Sequence, residues 1–290
     1  MSTWKRQGSN IYVRLQEEFS LADTLQSGQT FRWKPFEKGF LGMASDRICY
    51  AEQREDLLIL HDAAEKDADF WINYFDFNRD YTAIKNTLPC DKYLAEALKT
   101  CGGIRLLRQD FWETVISFIL SANNNIPRIS GTIEKLCAAY GNLVGERYGR
   151  AFYAFPEPEV LAAAKIEDLR ALGTGYRDSY IKQTAELFAQ GKFGIQSVEG
   201  LNHQEARKKL MELPGVGAKV AECILLFGAG VDDAFPIDTW VRKVVCGLYL
   251  GEDDPKQVPV RKIEDFAREH FPQYAGFAQQ VLFHYMRSYA

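Results

Sequence analysis

Residues 203–238 constrain the fold of this chain more than any other stretch. They read HQEARKKLMELPGVGAKVAECILLFGAGVDDAFPID. The amphipathic run 205–212 predicts one helix and the apolar run 218–227 predicts a second, with only the turn 213–217 between them. Two helices joined by so short a turn pack against each other, so the sequence predicts a helix–hairpin–helix over residues 205–228.

The turn of this hairpin has the composition of an anion site. Gly215 and Gly217 can take positive φ and allow another backbone to come close. The N–H groups of the turn and the positive end of the second helix would then face one spot, which suits a phosphate group. A nucleic acid is therefore a candidate partner.

The overall charge does not decide whether that partner binds. The 290 residues hold 35 Lys and Arg against 39 Asp and Glu, a formal net charge of −4. This balance argues against a broad basic surface, but binding depends on one face only. Local basic clusters are as typical of solvated helix faces as of phosphate contacts, and the hairpin favours the second interpretation. These clusters are Arg105/Arg108, Arg177/Lys182, Lys208/Lys209/Lys219 and Arg242/Lys243.

Composition excludes several other classes of protein. Hydrophobic residues make up 47% of the chain, as in globular proteins, and no apolar run reaches the ~18 residues of a membrane span. No signal-peptide pattern is visible near the start. The six cysteines form no CxxC or CxxH pair, which predicts neither a zinc site nor a disulfide framework and fits a reducing compartment.

The periodicity of apolar residues predicts an α+β fold that is mostly α-helical. Ile11, Val13 and Leu15 alternate with polar neighbours, as on a half-buried strand. We expect a small antiparallel β-rich domain at residues 1–98 and a two-part helical domain at residues 99–290, with the active site in the cleft between them. Further strands are predicted at 31–34, 40–44, 48–52 and 57–60, and helices at 65–76, 93–98, 110–123, 129–140, 157–164, 166–172, 176–189, 206–212, 218–227, 239–248, 261–270 and 276–288.

Lys219 is the candidate nucleophile. It lies in the first turn of the second predicted hairpin helix, where the positive end of a helix disfavours an ammonium group. A neutral amine can attack a sugar C1′ and form a Schiff base. A lysine at such a position is usually only a solvated side chain, but the LPGVG turn before it favours catalysis.

Asp238 follows nineteen positions later and is a candidate for two compatible roles. It is a good N-cap for the helix predicted from Thr239. A capped carboxylate that stays ionised can also stabilise a cationic sugar in a transition state. The hairpin and this aspartate together are the pair of features on which a family resemblance rests.

LPGVGAK followed by PID resembles the DNA glycosylase superfamily that is built on a helix–hairpin–helix, a Gly/Pro-rich loop and an aspartate. Five further motifs occur in the order of the 8-oxoguanine branch of that superfamily, so the resemblance runs from about Ser27 to Phe283 and is specific. They are SGQTFRW (27–33), RLLRQD (105–110), SANNNI (121–126), LGTGYR (172–177) and GFAQQVLF (276–283).

The resemblance implies how the damaged base is read. The Gly28 carbonyl would accept the N7–H that 8-oxoguanine has and guanine lacks, so a normal base would leave a buried group unpaired. Gln279 would bind the Watson–Crick edge of the base, and Phe283 and Cys223 would pack on its two faces. By periodicity alone, Gln279 and Phe283 would be helix core residues and Cys223 an ordinary buried cysteine.

The resemblance also implies how the duplex is opened. Asn123 would enter the gap left by the flipped base, Tyr176 would wedge beside the opposite cytosine, and Arg128 and Arg177 would bind that cytosine through its acceptors. Without the resemblance, the asparagines read as a helix end before Pro127 and the glycines of LGTGYR as a helix C-cap.

The implied activity is removal of 8-oxoguanine opposite cytosine in double-stranded DNA, through a Lys219 Schiff base, with β-elimination that nicks the strand. The implied protein acts as a monomer without a membrane or a redox or organic cofactor. A structural cation is implied at the backbone carbonyls of Met211, Leu213 and Val216. The expected location is the bacterial cytoplasm at the nucleoid, or the nucleus in a eukaryote.

Two departures from the family pattern bear on these expectations. Eukaryotic members have a histidine two residues after the aspartate, where this chain has Trp240, so the local phosphate contact is expected to differ. No cysteine follows Cys246, whereas endonuclease III-like and adenine-excising relatives usually carry a four-cysteine iron–sulfur cluster near that end. This argues against those branches.

Three alternatives stay open at this point. The enzyme could excise another damaged base, such as an alkylated purine or an oxidised pyrimidine. The chain could be a DNA-binding module with no activity, or an unrelated helical protein in which the hairpin is only structural. The sequence itself does not set the stringency for the opposite base or the coupling of base excision to strand cleavage.

Overall fold

The computed structural model describes residues 3–289. Within them the chain forms two compact units made of interleaved segments. The first unit comprises residues up to 30, 51–108 and from 230 onward, and the second comprises 31–50 and 109–229. The domain boundary near residue 98 remains a prediction.

The strands are β1 (Thr3–Gln7), β2 (Asn10–Arg14), β3 (Trp33–Phe36), β4 (Gly39–Ala44), β5 (Arg47–Arg54), β6 (Leu57–His61), β7 (Leu143–Arg147) and β8 (Arg150–Tyr153). The helices are α1 (Leu21–Gln26), α2 (Ala68–Tyr74), α3 (Tyr81–Thr87), α4 (Lys92–Cys101), α5 (Phe111–Ser121), α6 (Ile126–Tyr140), α7 (Pro158–Ala163), α8 (Ile166–Leu169), α9 (Asp178–Ala189), α10 (His203–Leu210), α11 (Ala218–Phe227), α12 (Thr239–Val244), α13 (Val260–His270) and α14 (Ala275–Ser288). The predicted fold class, mostly helical with a small antiparallel sheet near the N-terminus, is confirmed.

In the first unit the strands follow the order β1-β2-β6-β5, and in the second unit the order is β5-β4-β3, because β5 contributes residues to both. β2 pairs antiparallel with β6, with Ile11 opposite Leu60 and Val13 opposite Leu58. All four of these side chains are buried, which is why the alternation in 11–15 predicts the strand correctly.

The cores of the two units hold the site helices in place. In the first unit, α14 packs against α4 and α12, and Phe277 of α14 meets Tyr81 edge-on with ring centroids 5.3 Å apart. In the second unit, α11 packs against α5, and Phe118 stacks on Phe227 with centroids 5.4 Å apart. The candidate residues therefore stand on helices whose other faces are buried.

The sequence analysis misses several short elements. α1 and α3 are too short to show a helical period, although each has a capping residue, Ser20 and Asp80 respectively. The hairpin β7–β8 lies between the helices predicted at 129–140 and 157–164, in a stretch for which no element is predicted; its turn residues Tyr148 and Gly149 both have positive φ, at 52° and 71°. None of the helices in residues 3–289 combines the length and apolar character that a bilayer crossing needs.

Candidate active site

The predicted hairpin is present in the second unit as α10, a turn and α11. α10 begins at His203, three residues before its predicted start, because Asn202 and Glu205 form a capping box there. Glu222 of α11 lies 2.9 Å from His203 Nε2 and 3.3 Å from Arg207 Nε of α10. This buried polar contact fixes the two helices against each other.

The two turn glycines differ in conformation. Gly215 has φ of +80°, and a Cβ added there would lie 2.8–2.9 Å from the Tyr180 side chain. Gly217 is extended, with φ of −92° and ψ of −179°, and a Cβ there would meet nothing within 4 Å. The positive φ considered for both positions therefore occurs at Gly215 only.

The N-terminus of α11 is open to an anion. Its N-cap is Gly217, which is exposed and has no side chain to bind the first amides of the helix. Those amides have no partner inside the helix either. The expected phosphate site thus has free donors and the positive end of a ten-residue helix.

Lys219 is the second residue of α11 and is half-buried. Its Nζ donates a hydrogen bond to Ser121 Oγ at 3.2 Å and lies 5.5 Å from the centre of the Phe118 ring. The Ser121 hydroxyl in turn donates to the Phe118 carbonyl at 2.8 Å. The serine therefore holds the amine at the C-terminal end of α5.

The segment just after Ser121 carries the predicted duplex-opening residues. The Ala122 carbonyl accepts hydrogen bonds from the Tyr176 hydroxyl at 3.3 Å and from Arg177 Nε at 3.0 Å. Arg177 Nη2 also donates to the Asn123 carbonyl at 3.1 Å, and Asn123 itself has φ of +50°. The structure thus brings Lys219, Asn123, Tyr176 and Arg177 to one place in the second unit.

These residues differ in how accessible they are. Asn123, Arg128 and Tyr176 are exposed, and Tyr176 has 56% of its surface accessible. Arg177 is only 4% exposed, and four of its five N–H groups bind the carbonyls of Ala122, Asn123 and Thr174. The first three side chains are free to meet DNA, whereas Arg177 has one N–H left for a base.

Cys223 is buried on α11, 3% exposed and one turn after Lys219. Residues four apart lie on the same face of a helix. The expected common face of the nucleophile and this cysteine is therefore present.

In the first unit, Asp238 is the N-cap of α12, as predicted. Its Oδ1 accepts hydrogen bonds from the backbone N–H of Trp240 at 2.9 Å and of Val241 at 2.8 Å. Trp240 is 41% exposed and has Lys243 Nζ 5.1 Å from its ring centre. An aromatic–cation pair therefore stands where the eukaryotic family pattern has a histidine.

α14 presents Gln279 and Phe283 four residues apart. Gln279 is 4% exposed, and its Oε1 is buried without a hydrogen-bond partner among residues 3–289. Phe283 is half-buried, with the Arg287 guanidinium 5.1 Å from its ring centre. A buried acceptor left unpaired is costly unless a ligand satisfies it, so Gln279 remains a candidate binding residue.

Gly28 follows α1 with φ of +78°, a conformation that favours glycine. Within residues 3–289 no hydrogen bond reaches its carbonyl, whereas the Ser27 carbonyl immediately before it accepts one from Gln280 Nε2 at 2.7 Å. The first unit thus offers two acceptors without partners, Gly28 O and Gln279 Oε1.

Several predicted basic clusters bind the protein itself. Arg105 is 2% exposed and donates to the Glu18 carbonyl at 2.7 Å, and Arg242 donates to two carbonyls near α13 at 2.6–2.7 Å. Lys182 binds the carbonyls of Ala162 and Ala164. These three side chains are therefore used within the protein, whereas Lys243, which follows Arg242, is exposed.

The described residues hold no set of His, Cys, Asp and Glu side chains suited to a metal, and none of their six cysteines forms a disulfide. The carbonyls expected to bind a cation are those of the hairpin turn. The Leu213 carbonyl accepts one hydrogen bond from the Val216 N–H at 3.1 Å, which leaves its second lone pair available.

Three residues of the site were not predicted. Ser121 binds the amine of Lys219, while Gln280 and Arg287 bind the backbone just before Gly28. Ser121 belongs to the SANNNI motif and Gln280 to the GFAQQVLF motif, but the neighbouring sequence does not indicate which residues they bind. The partners are 98 and 253 residues away in the chain.

The helix–hairpin–helix, the amine on its second helix and the capped aspartate are the features on which the resemblance to DNA glycosylases rests, and comparison with known proteins identifies the class. Residues 116–268 match the family described as HhH-GPD superfamily base excision DNA repair protein. Residues 11–115 match the 8-oxoguanine DNA glycosylase N-terminal domain. The chain belongs to the 8-oxoguanine DNA glycosylase family, which confirms the resemblance noted in its sequence.

Curated relatives support the same family. A probable N-glycosylase/DNA lyase of Methanothermobacter thermautotrophicus is 32% identical over 93% of this chain and 94% of its own length. The N-glycosylase/DNA lyase of Saccharomyces cerevisiae is 33% identical over 92% of this chain and 83% of its own length. The predicted enzyme class, a bifunctional DNA glycosylase and lyase of base excision repair, is confirmed.

Solved structures agree with the sequences. The 8-oxoguanine glycosylase/lyase of Clostridium acetobutylicum, bound to double-stranded DNA with cytosine opposite 8-oxoG, has a TM-score of 0.92 and 36% identity. The superposed region covers 99% of this chain and 97% of the Clostridium acetobutylicum chain. MBOgg1 in complex with a low-affinity DNA ligand has a TM-score of 0.92 and 39% identity, and covers 99% and 98%. Membership of this family rules out an unrelated helical protein with a structural hairpin.

Proposed function

We propose that this enzyme removes 8-oxoguanine opposite cytosine from duplex DNA and then nicks the strand at that site. One observation supports this choice of substrate: in the first unit, Gly28 O and Gln279 Oε1 are hydrogen-bond acceptors without partners among residues 3–289. 8-Oxoguanine has an N7–H donor and further N–H donors on its Watson–Crick edge. Guanine has an acceptor at N7, so it would leave the Gly28 carbonyl facing another acceptor.

Recognition begins with the duplex. The free amides at Gly217 and the start of α11 bind a backbone phosphate. Asn123 and Tyr176 fill the space of the flipped nucleotide, which costs a few kcal/mol of unstacking. Arg128 and the remaining N–H of Arg177 bind the opposite cytosine. The flipped base packs between Cys223 and Phe283, a thiol and an aromatic ring.

The chemistry uses two groups. The neutral Lys219 amine attacks C1′, the glycosidic bond breaks, and the base leaves with the bonding electrons and a proton. The carboxylate of Asp238, held by two backbone N–H groups, stabilises the positive charge on the sugar. The C1′–O4′ bond of the sugar then breaks, O4′ takes up a proton, and the C=N bond of the Schiff base forms. The Schiff base loses a C2′ proton and expels the 3′ phosphate, which nicks the strand.

Other features of the proposal follow from the same family. The chain acts as a monomer at chromosomal DNA, in a nucleoid or a nucleus, without an organic or redox cofactor. A cation held by the carbonyls of Met211, Leu213 and Val216 would stiffen the hairpin and take no part in the reaction. We also propose that the chain divides into domains at residues 1–98 and 99–290.

Borohydride trapping tests the nucleophile and the substrate together. The protein is mixed with a duplex containing one 8-oxoguanine opposite cytosine, reduced with borohydride and examined for a covalent protein–DNA band. Lys219→Gln should abolish the band, while Lys192→Gln, an exposed lysine, should leave it unchanged. An undamaged duplex should give no band.

Each other result identifies a different error. Release of free base without a covalent band would mean that water attacks and that Lys219 is not the nucleophile. A band with a duplex containing an alkylated purine or an oxidised pyrimidine, and none with 8-oxoguanine, would show that the substrate is wrong. Binding without release or trapping of any base would indicate a DNA-binding protein only.

A further inference from the structure

α14 contacts the backbone immediately before the proposed lesion-reading glycine. Gln280 is 2% exposed, and its Nε2 donates to the Ser27 carbonyl at 2.7 Å. Arg287 Nη2 donates to the Gln26 carbonyl. The two carbonyls that precede Gly28 are therefore both held by side chains of one helix.

The residue after Gly28 is held equally firmly. Gln29 is completely buried, and its Nε2 donates to the Ser27 hydroxyl at 3.1 Å and to the Arg105 carbonyl at 2.8 Å. Its Oε1 accepts from the Leu107 N–H at 2.8 Å. Polar groups on both sides of Gly28 are thus satisfied within the first unit.

The Gly28 carbonyl is the exception in this segment. It accepts no hydrogen bond within residues 3–289, and its residue is half-buried. The Gly28 carbonyl lies in the plane of the 28–29 peptide group, and its direction is set by φ and ψ of Gly28. With Ser27 O held on one side and the Gln29 side chain held on the other, these two torsions have a restricted range.

We infer that Gln280 and Arg287 are positioning residues for lesion recognition: they fix the backbone at residues 26–27 so that the Gly28 carbonyl points at the N7–H of 8-oxoguanine. The inference rests on the proposed function. Recognition through a single acceptor depends on its direction, and such a group must be held within about 0.5 Å of its productive place. A displacement of about 1 Å can cost roughly a hundredfold in rate.

Arg287, unlike Gln280, also lies near a residue that is proposed to stack on the base. Its guanidinium lies 5.1 Å from the centre of the Phe283 ring, which is proposed to stack on the base. Burial lowers the pKa of Arg287, and the negative charge of Asp238 acts against that shift. A change at Arg287 therefore affects several groups, so Gln280 gives the cleaner test.

The test compares two substrates with one variant. Gln280→Met keeps the size of the side chain and removes its donor. We expect single-turnover excision of 8-oxoguanine opposite cytosine to fall roughly tenfold to a hundredfold. Cleavage of a duplex with a preformed abasic site, which has no base to read, should stay within about twofold. Gln190→Met, at an exposed glutamine that ends α9, is the matched control and should change neither rate.

An analogue with C–H in place of N7–H isolates the proposed contact. Wild type and Gln280→Met should process it at the same rate, because it offers no donor to the Gly28 carbonyl. An equal loss on 8-oxoguanine and on the analogue would overturn the inference, and so would equal losses on lesion and abasic duplexes. Unchanged excision in the variant would also overturn it.

Arg287→Met gives an independent check. The double variant should lose less than the product of the two single losses, because both side chains act on one carbonyl. Fully multiplicative losses would show that they act separately. Failure of the wild type to excise 8-oxoguanine, with abasic cleavage intact, would refute the proposed function itself, and is distinct from failure of a variant to differ from wild type.

Discussion

Burial distinguishes the glutamines of α14 in the first unit from two of the residues proposed to open the duplex in the second. In the first unit, Gln279 and Gln280 are 4% and 2% exposed, and the backbone around Gly28 is held by buried side chains. In the second unit, Asn123 and Tyr176 are exposed on the surface. A contact that distinguishes one oxygen atom needs groups with no freedom to move, whereas groups that enter a base stack must project from the protein.

The largest effect is expected at Asp238 in the first unit. One substitution there removes the negative charge and keeps the cap of α12. Asp238→Asn keeps an oxygen for the N–H groups of Trp240 and Val241 and removes the charge. Base excision should fall by about 10²–10³-fold, the scale for losing one group that stabilises a transition state. Melting temperature should hardly change. Single-turnover excision and thermal unfolding measure both.

Asp80→Asn, at the N-cap of α3, is the matched control and should leave excision unchanged. A full-rate Asp238→Asn enzyme would show that this aspartate is only a helix cap.

The second prediction concerns the exposed residues. Arg128→Ala should leave excision opposite cytosine active and reduce the preference for cytosine over adenine by about 1–3 kcal/mol, since one base contact is lost. Lys135→Ala, an exposed change on the same helix, should alter no preference. Excision rates with each of the four bases opposite the lesion measure this preference. An unchanged ratio of the rates opposite cytosine and adenine would show that Arg128 does not recognise cytosine.

The third prediction separates the two hairpin glycines. Gly215→Ala should lower the free energy of unfolding by about 1–3 kcal/mol, because φ is +80° and the new methyl would lie 2.8 Å from the Tyr180 ring. Gly217→Ala has open space and φ of −92°, so stability should change little. Chemical denaturation measures both, and equal losses would contradict the geometry.

The smallest effect concerns a buried charge away from the exposed residues. Burial raises the pKa of Glu113 to about 7, although Arg32 lies 3.7 Å away and opposes the shift. The folded state then holds a proton that the unfolded chain has released, so this contribution to stability is complete below about pH 4.5 and is lost as pH rises through 7.

Glu113→Gln should remove that dependence. Relative to wild type, its free energy of unfolding should rise by about 1–2 kcal/mol between pH 5.5 and pH 7. Denaturation at several pH values checks this, with abasic-site cleavage as a measure of intact activity. A constant difference between the two proteins across this range would show that the carboxyl is already ionised at pH 5.5.

Local patterns explain which features the sequence predicts well. The period of 218–227 and the cap at Asp238 depend on neighbours within a few residues, and both α11 and the N-cap of α12 are present as predicted. The family resemblance, rather than periodicity, supplies Gly28 and Gln279. Neither source gives the Ser121–Lys219 bond or the hold of Gln280 on Ser27, because their partners are distant in the chain.

Short helices and strands are not predicted from the sequence for a related reason. α1 has six residues, fewer than two turns, so no apolar period can be seen. The β7–β8 hairpin had a usable signal, a Tyr148–Gly149 turn between two arginines, but its strands are exposed or half-buried and lack the alternation of apolar and polar residues that indicates a strand. The lack of space for a side chain at Gly215 is due to Tyr180, thirty-five positions earlier, which local sequence does not show.

Arg177 gives the exposed surface of the second unit an unusual property. Its four bonds to the carbonyls of Ala122, Asn123 and Thr174 join two loops, and its guanidinium lies 4.3 Å from the Tyr176 ring centre. Ordering one backbone residue costs about 1–2 kcal/mol of conformational entropy. These loops lose that entropy when the protein folds, so a surface loop here meets its ligand with the rigidity of a core.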